Sequence, residues 1–139
     1  MKKFFILLFL GAVIALSSYS AGYYFGSGSQ IAWWINNGLH FLGGAYAFFF
    51  IGSVFDITKK YHNTVTTSLM RAVIFLFGAL VLGVIWEWYE LFFIYWNSTV
   101  LMTKGNGVYL DTMGDLALDL LGATFSGFYY TIIKNGRKK

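Results

Sequence analysis

At 139 residues the chain is short enough for one domain, and 58% hydrophobic against 12% charged residues excludes an ordinary soluble domain, in which roughly a quarter are charged. It contains no cysteine, which excludes disulfides and thiolate metal sites, and no proline, so no helix kinked by one is expected. The net charge of +4 lies at segment ends and forms no basic patch interleaved with exposed aromatics, which argues against nucleic-acid binding.

Four apolar segments are predicted in chain order, at about residues 4–25, 31–55, 72–96 and 108–133. Each exceeds the ~20 residues that a helix needs to cross the hydrocarbon layer. The expected fold is an all-α integral membrane protein, a bundle of four transmembrane helices that makes residues 1–139 one transmembrane domain with the lipid bilayer as its partner. Five tryptophans and ten tyrosines fit aromatic belts at the two membrane interfaces.

The first segment has two readings. "MKKFFILLFLGAVIALSSYSAG" has the lysines, apolar stretch and small residues of a signal peptide cut near Ala21. The favoured reading is a retained helix, because apolar character continues through "GYYF" and the face Gly11, Ala15, Ser18, Gly22 is small throughout, as in a packed membrane helix. The second segment carries Asn36, Asn37 and His40 near its start, and Asp56 at its end, where it closes the segment or caps the loop. His62 falls in the following loop. The third carries "WEWYE", with Glu87 and Glu90 inside an apolar run. "NST" at Asn97 fits a glycosylation sequon too common to carry weight. The fourth opens with "DTMGDLALDLLGA", which places Asp111, Asp115 and Asp119 at four-residue intervals.

Charge in the loops sets the orientation. Lys2, Lys3, Lys59, Lys60, Arg71, Lys134, Arg137, Lys138 and Lys139 fall on one side, and Lys104 alone falls on the other. By the positive-inside rule both termini are cytoplasmic. At ~1.5 Å per residue from the outer ends, Asp111 lies about 5 Å deep, Glu90 about 9 Å, Asp115 about 10 Å, Glu87 and His40 about 14 Å and Asp119 about 16 Å. Three helices therefore bring ionisable groups to one outer layer. The helical faces agree: Asn36, His40, Gly43 and Ala47 share one, Ala79, Gly83, Glu87 and Glu90 a second, and Asp111, Asp115, Asp119, Gly122 and Ser126 a third. Polar groups inside a membrane face the bundle interior, so an outward-opening polar pocket is expected, framed by Trp33, Trp34, Trp86, Trp88 and Trp96.

Each ionised carboxylate in that layer costs roughly 2.5–3.5 kcal/mol on insertion scales. No Lys or Arg falls in the outer half of any segment, so the acids need protons, water or a cation. Carboxylates with one imidazole suit Mg²⁺, Ca²⁺, Mn²⁺ and, less exclusively, Zn²⁺, with His40, Glu87, Glu90, Asp111, Asp115 and Asp119 as candidate ligands. Three readings stay open: a cation-binding or conducting protein, a metal-dependent hydrolase of a lipid or lipid-linked phosphate, and a structural subunit whose acids pair with a basic helix of a membrane partner. A proton relay or transport path, and a protonated network that only ties the helices together, are the alternatives to the cation.

"GLHFLGGAYA", "WEWYE" and "DTMGDLALDLLGA" together resemble the YjdF-like family of small bacterial inner-membrane proteins and, more distantly, VanZ-like proteins. The matching positions are His40, then Trp86, Glu87 and Glu90, then Asp111, Thr112, Asp115, Asp119 and Gly122. The resemblance implies a multi-pass protein of the bacterial cytoplasmic membrane and names no reaction. Its VanZ-like side points by analogy to roles in the cell envelope.

Overall fold

In the computed structural model, residues 2–25, 29–58, 67–92 and 105–136 are described. They form four helices: α1 (Lys2–Phe25), α2 (Gln30–Thr58), α3 (Ser68–Glu90) and α4 (Gly105–Gly136). All four are long and apolar enough to cross a membrane. The loop residues Lys59, Lys60, His62, Trp96, Asn97, Lys104, Arg137, Lys138 and Lys139 lie outside the described residues, as do the side chains of Lys2, Lys3 and Lys134.

Two starts have a local cause. The Ser29 hydroxyl accepts from the Ala32 N–H at 3.1 Å and opens α2. The Thr67 side chain accepts from the Met70 N–H at 3.2 Å, so α3 begins at Ser68, four residues before the apolar segment read at Ala72. Such caps satisfy N–H groups that a helix's first turn leaves without partners. Asp56 does not end α2: it is exposed within the last turn, and the helix runs on to Thr58.

Contacts along the helices fix their directions. Ser18 meets Asn36 and Phe4 stacks on Phe50, so α1 and α2 are antiparallel. Gly52 and Gly78 pack against Phe75 and Ile51 across an antiparallel α2–α3 pair. Gly44 lies at Asp119 and Phe48 at Gly127, so α2 and α4 run parallel. Helices α2, α3 and α4 pack on one another, with the most extensive contact between α2 and α4, while α1 packs chiefly along α2.

The α2–α4 seam depends on two glycines. A Cβ at Gly44 would fall on the main chain of Asp119, and a Cβ at Gly122 would fall on the Phe41 carbonyl. Lipid tails are as apolar as leucine, so membrane helices gain from close packing, which small residues permit. Below this seam Ala47, Phe48, Phe75, Ala79 and Ala123 form the buried core. Phe48 is fully buried and meets Phe75 edge-on at 5.4 Å and Tyr130 at 6.1 Å. Outward faces carry exposed Phe, Leu, Ile and Tyr side chains on all four helices, an apolar coat suited to lipid.

Candidate metal centre

The three packed helices each send ionisable side chains to one level of the bundle. His40 comes from α2, Glu87 and Glu90 from α3, Asp115 and Asp119 from α4, and all five are buried. The three- and four-residue spacings keep each pair on one helix face. The face read on α3 is buried throughout, from Ala79 through Gly83 and Glu87 to Glu90. Asp111 departs from the expected set. It is exposed, one turn before Asp115 on α4, and stays outside the buried group.

His40 is the hub. Its Nδ1 lies 3.5 Å from Asp119 Oδ2 and 3.9 Å from Glu87 Oε1, and its Nε2 lies 3.5 Å from Asp115 Oδ2. Asp119 has room for its carboxylate because glycines flank it: a Cβ at Gly83 would stand 2.8 Å from Oδ2, and one at Gly43 would stand 3.5 Å from Oδ1. A neighbour on the same helix positions Glu90: the Trp86 indole N–H donates to Glu90 Oε1 at 3.1 Å.

Two buried atoms in this cluster have no hydrogen-bond partner, His40 Nε2 and Glu87 Oε1. Burying a polar atom without a partner costs roughly 1–3 kcal/mol, so such atoms call for an explanation. One ligand atom each from His40, Glu87, Glu90 and Asp115 can be chosen so that all four lie within 4.8 Å of one another. That is the span of one coordination shell, in which opposite oxygens stand roughly 4–5 Å apart. Among the described residues Arg71 is far from the cluster, at the opposite end of α3 over the Phe55 ring.

The remaining polar candidates belong elsewhere. Asn36 accepts from the Ser18 hydroxyl at 3.2 Å, and Asn37 donates to the Trp33 carbonyl at 2.8 Å, so both serve α1–α2 packing and the helix surface. Trp33, Trp34 and Trp88 are exposed, as anchoring residues are. Trp86, expected as an anchor of the same kind, turns inward to hold Glu90. The signal was the four-residue spacing in "WEWYE", which suits a side-chain bond within one helix.

The chain matches the family model described as predicted membrane protein (DUF2238) over residues 1–136 and belongs to that family, the YjdF-like one that its motifs resemble. No curated protein and no solved structure matches it.

Proposed function

We propose that the protein binds one divalent cation at the buried centre formed by His40, Glu87, Glu90 and Asp115. The observation that carries this reading is the pair of buried atoms without partners, His40 Nε2 and Glu87 Oε1, inside a group whose ligand atoms fit one shell. Asp119 takes a different part from the one its spacing suggests. It faces Nδ1 and orients the imidazole, which leaves Nε2 for the ion, an arrangement common behind metal-bound histidines. Three carboxylates and one imidazole favour Mn²⁺, Mg²⁺ or Ca²⁺ over metals that prefer thiolates. The basic loops and termini support a bacterial cytoplasmic membrane location with both termini inside, which sets the centre in the outer half of the bilayer.

A second reading, hydrolysis of a membrane lipid or lipid-linked phosphate, draws on a cavity that reaches His40 and Asp119. In that reading an ion held instead by Glu87, Asp115 and Asp119 would supply an activated water, with His40 or Glu90 to take its proton. The accessory-subunit reading draws support only from the surplus of acid.

Titration of detergent-purified protein with Mn²⁺, followed by electron paramagnetic resonance, tests the proposal. Asp115→Asn and Glu87→Gln should each weaken binding at least about tenfold while the protein stays inserted and helical, and Asp56→Asn, remote and exposed, should leave it unchanged. Wild-type affinity in both centre variants would refute the proposal.

A further inference from the structure

A cavity of about 420 Å³ lies between α1 and α3 with α2 as its floor, within the roughly 300–1,000 Å³ of small-molecule sites. It runs along α2 from Leu39 to Phe50, a length of about 16 Å. A cavity of this volume spread over that length is elongated, with its long axis along the helices. Small residues open it: Gly11 and Ala15 on α1, Gly43 and Ala47 on α2, Ala79 and Gly83 on α3. Its two ends differ. Around Phe50 and Ala47 it is mainly apolar, with the Tyr46 hydroxyl beside Gly11, whereas toward Leu39 it meets His40, Asp119, Trp86, Tyr89 and Ser18.

The polar end is acidic. Asp119 lines it, and three more buried carboxylates, of Glu87, Glu90 and Asp115, stand around the same imidazole. His40 lines the cavity, is only 4% exposed, and its Nε2 makes no hydrogen bond and stands 3.5 Å from Asp115 Oδ2. Trp86 and Tyr89, their rings 5.3 Å apart, stand at the same end. Aromatic faces beside carboxylates attract ammonium groups, and the attraction strengthens away from water.

We propose that the cavity is an intramembrane binding site for an amphiphile with one hydrocarbon chain and a cationic ammonium head. The chain lies between α1 and α3, and the head lies at Asp119 and His40 under Trp86 and Tyr89. The site needs the buried acids and not the ion, so it stands or falls separately from metal binding.

Photolabelling in maltoside micelles tests it, with a diazirine-bearing tetradecyltrimethylammonium beside the alcohol and the sulfate of the same chain. The cationic probe should label residues 11–18, 39–50 and 79–89 at least tenfold more strongly than either companion. Ala15→Phe, which fills the middle of the cavity, should cut that labelling at least tenfold. Leu16→Phe, on the exposed face of α1, should leave it unchanged. Equal labelling by all three probes in the wild-type protein would overturn the proposal whether or not the cavity-filling variant folds, and so would full labelling of a folded Ala15→Phe. Each sample is run with Mn²⁺ and with chelator. Selective labelling without bound Mn²⁺ would count against the metal centre alone, and bound Mn²⁺ without selective labelling would count against the amphiphile site alone.

Discussion

Gly122→Val is expected to separate α2 from α4 and destabilise the bundle by about 3 kcal/mol or more, at or beyond the upper end for overpacked interiors. The first atom added to Gly122 falls on the Phe41 carbonyl and stands 3.0 Å from the Ala45 nitrogen. Both are main-chain atoms of a helix, so no flexible side chain can swing aside. The α2–α4 contact is the most extensive in the molecule and carries His40 opposite Asp115 and Asp119. A shift at this seam therefore dismantles the acidic cluster as well. Gly114→Ala supplies the control: a Cβ there meets nothing within 4 Å, and alanine is the better helix former by about 1 kcal/mol. Denaturant midpoints in mixed micelles should fall steeply for Gly122→Val and hold or rise for Gly114→Ala. Equal midpoints for the two would mean that the seam does not hold the fold together.

His40→Leu is expected to cost about 3–5 kcal/mol in the presence of chelator, the range for removing one member of a buried charged group. The imidazole is the one member of the cluster that can carry positive charge, and it stands within 4 Å of three carboxylates. Leucine fills the space and leaves those acids facing one another. Adding Asp119→Asn to His40→Leu should restore part of the loss, because Asp119 is the carboxylate that the imidazole's Nδ1 faces. A double-mutant cycle on unfolding midpoints reads this coupling. Strictly additive losses would show that the imidazole and Asp119 act independently.

The number of helices and the convergence of acids were legible because both rest on spacing. Runs longer than ~20 apolar residues have few folds open to them in lipid, and acids four residues apart share a face wherever the helix goes. Asp111 shows where spacing stops being enough. It continues the Asp115–Asp119 series, yet it lies one turn beyond the level of His40 and faces outward. The chain pattern marks a face but not where the neighbouring helix ends. Gly44 went unread for a related reason, since a main-chain approach is a property of two helices and neither sequence alone shows it. The small face of α1 suggested close packing. Gly11 does lie against the Tyr46 ring and Ser18 donates to Asn36, but Ala15 borders open space. A small residue permits either outcome, and the neighbour decides.

Elemental analysis of protein purified in mild detergent without chelator, beside a Glu87→Gln/Asp115→Asn variant, reads directly whether the buried acids hold a metal. Close to one divalent ion per chain is expected in the wild-type protein and none in the folded variant. No metal in either, with both folded, would contradict the metal centre and leave protons or a basic partner helix to neutralise the acids.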